Sequence, residues 1–282
     1  MTKQLLLHPQ TRQDIERFIL APKHALLITG ADGSGKTTLA EETATQILAL
    51  ESRNLQDHPY FMAVNQTPVG IDQIRAVTTF LRLRTTGKQN IRRVVIIKRA
   101  DTMTVEAQNA LLKSLEEPPE DTLIILLAER AQSLLPTITS RTATVSIRTP
   151  SYDAIKEYFS TSEDLLAHAY ALSNGKVGLL QALLSDDTSH PLTIKIAEAK
   201  QLLQMTTYAK LTQVNALAAD KENTRLLLAA LKQIAIASIK RAQDPRNSQR
   251  WYKVFDQSHR AEKLLNESVN TKLVLTDLLL NL

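Results

Sequence analysis

The sequence of 282 residues contains no cysteine. This absence excludes disulfide bonds and every zinc module that depends on cysteine ligands. A chain without cysteine is typical of a reducing compartment, and we expect a cytoplasmic protein.

Aromatic residues and long apolar runs are also scarce. Aromatic residues make up only 4% of the chain, which favours helices packed on helices or on a sheet through aliphatic side chains. No apolar run reaches the roughly 18 residues that a membrane-spanning helix needs. The first nine residues hold no signal-peptide core. We therefore expect an intracellular protein without a membrane partner.

Positive charge is concentrated in one segment. The net charge is +5, and the segment from Leu81 to Ala100 contains seven basic residues and no acidic one. Such a segment forms either a solvated charged face or a surface for nucleic acid or an acidic partner. The candidates for nucleic-acid contact are Arg82, Arg84, Lys88, Arg92 and Arg93.

Five short apolar runs in the first half predict β-strands. Most are nearly continuous in apolar character, which is typical of a parallel sheet covered on both faces. The predicted strands are Ala25–Thr29, Phe61–Val64, Val94–Ile97, Leu123–Leu127 and Thr144–Ile147.

Helical patterns separate these strands. Thr104 can cap the helix that ends before Pro118-Pro119. Strands that alternate with helices predict a doubly wound α/β domain over residues 1–150. The predicted helices are Thr11–Leu20, Thr37–Leu50, Ile71–Leu83 and Thr104–Glu117.

The second half shows no convincing strand. Three short helices predict a small helical domain over residues 151–188, and longer helices predict a second one over residues 189–282. The short helices are Tyr152–Phe159, Glu163–Leu172 and Val177–Leu184. The longer ones are His190–Met205, Leu211–Asp220, Arg225–Arg241 and one from Gln249 to the carboxyl terminus.

A phosphate-binding motif follows the first predicted strand. Residues 30–37 read GADGSGKT, which matches G-x-x-x-x-G-K-[ST] between a strand and a helix. Such a loop turns its N–H groups towards phosphate, while Lys36 reaches the β- and γ-phosphates and Thr37 holds Mg²⁺. The alternative is an inherited loop that is now empty. We predict that ATP or ADP, with or without Mg, binds at Gly30, Ala31, Asp32, Gly33, Ser34, Gly35, Lys36, Thr37 and Thr38.

The acidic residues that hydrolysis requires are missing. A neighbouring strand normally ends in a carboxylate that holds the magnesium shell, and a second carboxylate usually orients the water. The candidate strand runs instead into Lys98 and Arg99, which attract phosphate but cannot bind Mg²⁺ or accept a proton. Asp101 is either a displaced metal ligand or a residue that orients the next helix. The residues therefore predict nucleotide binding without hydrolysis.

Several strings resemble the AAA+ subunits of bacterial DNA polymerase III clamp loaders. The most specific is NALLK with LEEPP, at residues 109–113 and 115–119. Residues 134–142, with Ser140, Arg141 and Thr142, resemble the Ser-Arg-Cys region of the arginine finger. The family's P-loop region is similar to residues 24–36, and its segment after the second strand is similar to residues 71–75. Its closing helix is similar to residues 270–280. The resemblance implies a RecA-like AAA+ domain, a small helical lid and an all-helical collar.

Within this family the features of the ATP-hydrolysing gamma/tau-type motor are missing. The motor type has an Asp-Glu pair at the positions of Lys98 and Arg99. It carries a four-cysteine zinc module as well. It also has a sensor arginine near residues 174–179 and a sensor threonine where Ala128 and Glu129 stand. The intact P-loop is the one feature that points back to the motor. The resemblance therefore implies the delta-prime type, a stator.

Arg141 has two interpretations. From local sequence alone it is either a structural arginine paired with an acidic residue or a functional one. The resemblance implies an arginine finger that acts in trans on the nucleotide of the adjacent subunit.

The resemblance also implies partners: motor gamma/tau-type and delta-type subunits, the sliding clamp and primer–template DNA. One alternative function is a working DNA-dependent ATPase that uses Asp101. Another is an AAA+ regulatory adaptor outside replication.

Overall fold

The computed structural model describes residues 5–50, 54–87, 90–185, 190–242, 244–267 and 269–282. The chain divides into two compact units, Met1–Ser151 and Tyr152–Leu282. This division coincides with the boundary predicted near Pro150.

The first unit is built on a five-stranded parallel sheet in the order β2-β3-β4-β1-β5. All the predicted strands are present, two with the predicted bounds and three within a single residue at their ends. The strands are β1 (Ala25–Thr29), β2 (Phe61–Val64), β3 (Arg93–Ile97), β4 (Thr122–Ala128) and β5 (Ala143–Ser146).

The three central strands, β3, β4 and β1, are buried along their whole length. Leu27 and Leu126, paired across β1 and β4, contribute to the core on one face of the sheet. Ile28 and Leu127, the next pair, contribute to the core on the other face. Each buried leucine or isoleucine stabilises the fold by about 1.5–3 kcal/mol. This two-sided burial explains why the strand sequences lack alternation.

Helices cover both faces of the sheet. Thr104 caps α4 as predicted, since its Oγ1 accepts a hydrogen bond from Ala107 N at 3.2 Å. The helix α5, a single turn that begins at Pro136, was not predicted. The helices of this unit are α1 (Pro9–Leu20), α2 (Lys36–Ile47), α3 (Ile71–Leu81), α4 (Val105–Glu116) and α5 (Pro136–Thr139).

A threonine of α1 covers the outer edge of β5. Thr11 is fully buried. Its hydroxyl donates to Ser146 O at 3.0 Å and accepts from Arg148 N at 3.1 Å. One side chain thus satisfies the carbonyl of the last residue of β5 and an N–H of the segment that follows the strand.

Arg93 is a buried structural residue, which corrects its prediction as a nucleic-acid contact. Its side chain is 2% exposed and lies 3.9 Å from Asp121. The guanidinium donates to Phe80 O at 3.0 Å and to the carbonyls of Leu81 and Leu83. It therefore satisfies backbone acceptors at the end of α3.

In the part of the second unit that the structure describes, every regular element is a helix. The predicted helix from Gln249 to the carboxyl terminus is wrong in its extent. It is divided into two, because Asn270 caps a new helix by accepting from Lys272 N at 3.0 Å. The helices are α6 (Tyr152–Tyr158), α7 (Glu163–Ser173), α8 (Val177–Leu184), α9 (Pro191–Gln204), α10 (Thr207–Thr212), α11 (Val214–Leu217), α12 (Lys221–Arg241), α13 (Pro245–Asn266) and α14 (Thr271–Asn281).

One hydrophobic cluster joins helices of this unit. It contains Leu172 and Leu179 from the predicted lid and Leu192, Leu231 and Leu278 from the predicted collar. The boundary between lid and collar stays a prediction. Along the described ranges, no helix is both long enough and apolar enough to pass through a bilayer.

We expect Arg93→Ala to lower the free energy of unfolding by about 3 kcal/mol or more, because it leaves the carbonyls of Phe80, Leu81 and Leu83 without their donor and opens a cavity. Arg84→Ala is the matched control. Arg84 is exposed, and its removal should change that free energy by less than about 0.5 kcal/mol. Urea unfolding measures both. Equal stability of the two variants would contradict a structural role for Arg93.

Candidate functional site

The loop from Gly30 to Gly35 connects β1 to α2 at the carboxyl end of the sheet. Gly33 and Gly35 adopt φ values of 81° and 93°, a left-handed region that favours glycine. A Cβ atom at Gly30 would lie 2.9 Å from Ser34 Oγ and 3.2 Å from Ile147 Cβ. These glycines therefore permit a turn that residues with side chains would strain.

The loop fits a phosphate ligand. Lys36 is the first residue of α2 and Gly35 is its N-cap, so the positive end of the helix dipole lies at the loop. Ser34 Oγ is buried and has no hydrogen-bond partner among the described residues. A buried hydroxyl without a partner is costly, and a phosphate oxygen would satisfy it. Thr37 follows in the first turn, while Thr38 points to solvent.

Lys36 is engaged within its own loop. Its side chain is only 10% exposed. Its Nζ donates to Gly30 O at 2.6 Å and to Asp32 Oδ1 at 3.3 Å. The lysine predicted to reach phosphate therefore lies in the loop and is held by a carbonyl and a carboxylate.

The structure places the two cations at the end of β3 beside the loop. Arg99 Nη1 lies 3.7 Å from Asp32 Oδ2. Lys98 Nζ lies 3.3 Å from Glu41 Oε1 on α2. Arg99 adopts a left-handed backbone with φ 56°, before a single 3₁₀ turn, Ala100–Thr102. Both residues predicted to replace the catalytic carboxylates lie against the P-loop and its helix.

Glu129 joins this cluster from the end of β4. Its carboxyl group lies near enough to Asp32 for each to shift the pKa of the other. Partial desolvation, followed by the negative charge of Asp32, raises the pKa of Glu129. Burial opposes ionisation of Asp32, yet Lys36 and Arg99 outweigh it and lower the pKa of that carboxyl. From sequence, Glu129 indicates only that the sensor threonine is missing. Its position beside Asp32 is not predicted by any local pattern.

The site provides few ligands for magnesium. Among the described residues, no three histidine or acidic side chains come close enough together to hold a metal ion. Asp101 lies in the 3₁₀ turn, and one of its carboxylate oxygens is buried without a hydrogen-bond partner. It lies near enough to Glu129 to raise the pKa of that residue. The hydroxyl of Thr37 is therefore the protein group that would bind a magnesium ion brought by the nucleotide.

Arg141 lies after α5 and is separate from these contacts. Its Nη2 is 2.9 Å from Glu116 Oε1 at the end of α4, and its Nη1 donates to Thr137 O at 3.0 Å. The side chain is 36% exposed. None of the P-loop residues, all of which the structure describes, is among its partners.

The predicted basic surface is smaller than the sequence indicated. Arg82 and Arg84 are exposed. Arg92 is partly exposed and lies 3.4 Å from Asp121, whereas Arg93 is buried. Lys88 lies outside the described residues. Of the four candidates that the structure describes, Arg82 and Arg84 are exposed and Arg92 is partly neutralised by Asp121.

Comparison with known proteins identifies the amino-terminal unit. Residues 16–151 match the family model described as DNA polymerase III, delta subunit. The chain is 32% identical over 188 residues to the DNA polymerase III subunit delta' of Pseudomonas aeruginosa. That alignment covers 60% of this chain and 54% of the relative. It is 33% identical over 147 residues to the subunit of the same name from Bacillus subtilis, which covers 48% and 45%. The chain spans about half the length of these relatives.

A solved structure supports the fold of the whole chain. The crystal structure of a DNA polymerase III, gamma subunit-related protein from Thermotoga maritima aligns with a TM-score of 0.53. The alignment covers 96% of this chain and 97% of that one, at 18% identity. At this identity the likeness concerns the fold. Over residues 16–151 the chain is therefore similar to the DNA polymerase III delta-subunit family, and the relatives named here are delta' subunits, as the sequence resemblance predicted.

Proposed function

We propose that the chain is a delta-prime-like subunit of a DNA polymerase III clamp loader, a stator that binds ATP or ADP without hydrolysing it. The observation that carries the proposal is the pair of cations at the end of β3. Lys98 and Arg99 lie against the P-loop and α2 through Asp32 and Glu41. A motor subunit needs carboxylates directly at the end of this strand, where Lys98 and Arg99 stand.

The chemistry of the site favours binding over turnover. Phosphoryl transfer to water requires a metal ion across the phosphates and a group that orients the water. A guanidinium and an ammonium stabilise phosphate charge but perform neither task. The loop glycines, Ser34 Oγ and the start of α2 provide the remaining phosphate contacts.

Arg141 would act on a neighbouring subunit. It is partly exposed, and its partners lie on α4 and α5. A guanidinium that reaches the γ-phosphate of an adjacent site stabilises the charge that develops during hydrolysis, and such residues are worth about 10³–10⁵ in rate. The proposal assigns the hydrolysed nucleotide to the gamma/tau-type motor subunits and this arginine to the stator.

Residues 189–282 would form the collar that joins the other subunits. The helix α14 buries Val274, Leu275, Leu278 and Leu279 inside its own unit. Leu273 and Leu280, seven residues apart on the same helix, are 68% and 56% exposed. Apolar side chains exposed on one helical face are typical of an interaction site.

The assembled loader would place a sliding clamp on primer–template DNA in the cytoplasm. Arg82 and Arg84 are exposed and would contact the phosphate backbone. A working DNA-dependent ATPase is the second candidate. One observation favours it: a buried carboxylate oxygen of Asp101 has no hydrogen-bond partner among the described residues. Asp101 also lies near Glu129.

Calorimetric titration with ATP and ADP, together with a phosphate-release assay, tests binding and hydrolysis separately. We expect binding by the isolated chain and no turnover. Lys36→Ala should abolish binding, because it removes the cation that the loop directs at phosphate. Turnover near one per second, in the ordinary range of enzymes, that disappears in Asp101→Asn would support the ATPase instead. No binding at millimolar nucleotide would mean that the loop is empty.

We expect Arg141→Ala to lower the ATPase and clamp-loading rates of the reconstituted complex without changing nucleotide binding by this chain. Arg141→Lys should rescue poorly, since an ammonium lacks the planar donors that match phosphate oxygens. Glu116→Gln is the control, because it removes the ion pair and keeps the guanidinium. If Glu116→Gln reduces both rates as much as Arg141→Ala, the arginine has a structural role.

We expect Leu273→Asp with Leu280→Asp to weaken assembly with the other loader subunits by about tenfold or more, because two exposed apolar contacts become charged. Stability should change little, because both side chains are exposed. Leu20→Asp is the control, since Leu20 is 86% exposed on α1. Co-elution on size exclusion at several concentrations measures the effect. Normal assembly of the folded double variant would exclude this face from the interface.

A further inference from the structure

The P-loop contains a carboxylate that lies against two of the cations of the site, Lys36 and Arg99. Asp32 Oδ1 lies 3.3 Å from Lys36 Nζ, and Asp32 Oδ2 lies 3.7 Å from Arg99 Nη1. The two oxygens of one side chain thus face cations from two different elements, the start of α2 and the segment after β3. Asp32 is the third residue of the motif and lies inside the loop that would surround a phosphate.

A bound phosphate would require the same two cations. In a P-loop the lysine contacts phosphate oxygens while the backbone N–H groups enclose them. A carboxylate resembles a phosphate in charge sign and in its two acceptor oxygens. Asp32 and a nucleotide phosphate are therefore competing ligands for Lys36 and Arg99.

The surrounding charges strengthen this competition. Asp32, Asp101 and Glu129 are the acidic groups of the cluster, and Lys36 and Arg99 are its cations. A nucleotide would bring further negative charge to a cluster that contains more carboxyl groups than cations.

We propose that Asp32 sets the nucleotide affinity of this loop, because its carboxylate must release Lys36 and Arg99 before nucleotide phosphates can bind them. This inference rests on the proposed nucleotide site and names the residue that limits it. The ligand class is the diphosphate or triphosphate of a nucleotide. The loop is thus an anion-binding site whose cations are already partly neutralised by the carboxylate of Asp32.

Neutralising Asp32 should increase affinity. Asp32→Asn keeps the shape of the side chain and removes the charge that competes with phosphate. We expect ADP to bind Asp32→Asn about tenfold more tightly than the unaltered chain, or better, because a rival charge at ion-pair distance is lost. Lys36→Met in the Asp32→Asn background should abolish the gain, since the released cation is then missing.

Calorimetric titration of the full chain with ADP tests the inference. Asp72→Asn is the matched control. Asp72 lies 3.2 Å from Arg75, and its side chain is 82% exposed on α3. The control thus makes the same change of charge at a carboxylate–guanidinium pair outside the loop, and its ADP affinity should equal that of the unaltered chain. Thermal unfolding checks that each variant is folded, and Asp32→Ser replaces Asp32→Asn if that variant is not.

The outcomes separate this inference from the proposed function. If Asp32→Asn binds ADP within twofold of the unaltered chain, the inference is overturned and the nucleotide site stands. If only Asp32→Asn binds ADP, the inference stands and nucleotide binding by the natural chain fails. If neither binds at millimolar ADP, both fail. An equal gain in Asp72→Asn would show a general effect of net charge and would also overturn the inference.

Discussion

Burial of β3, β4 and β1 on both faces of a parallel sheet is the constraint on which the site depends. These strands are neighbours, so the segments that follow them begin side by side at one edge of the sheet. Arg99 follows β3, Glu129 follows β4 and the loop with Asp32 follows β1. A cluster built from residues nearly a hundred positions apart is thus a consequence of strand order. Each side chain needs only to be placed correctly at the end of its own strand.

Local patterns were sufficient to predict most of the fold. The central strands are continuous apolar runs because both faces are covered, and this kind of burial is visible in sequence. The cap at Thr104 and the P-loop glycines follow from local backbone requirements. The two cations after β3 could be predicted for the same reason, since their place depends only on where the strand ends.

Long-range pairing could not be predicted in this way. Arg92 and Arg93 give the same signal in sequence, yet Arg92 precedes β3 and stays partly exposed, whereas Arg93 begins the strand and is buried against carbonyls at the end of α3. The partners of Asp32 and Arg141 depend on which elements are adjacent. The division between α13 and α14 depends on Asn270, a cap within a segment that otherwise continues a helical pattern.

The threonine of α1 that covers β5 has a consequence for how this chain associates with others. An outer strand with unpaired backbone groups is a template on which a foreign strand can add, and this is a common route to aggregation. Thr11 uses one hydroxyl to occupy the carbonyl of the last residue of β5 and the N–H of Arg148 just beyond it. A foreign strand that paired at this end of β5 would first have to displace Thr11. The threonine therefore acts against intermolecular sheet extension where β5 ends.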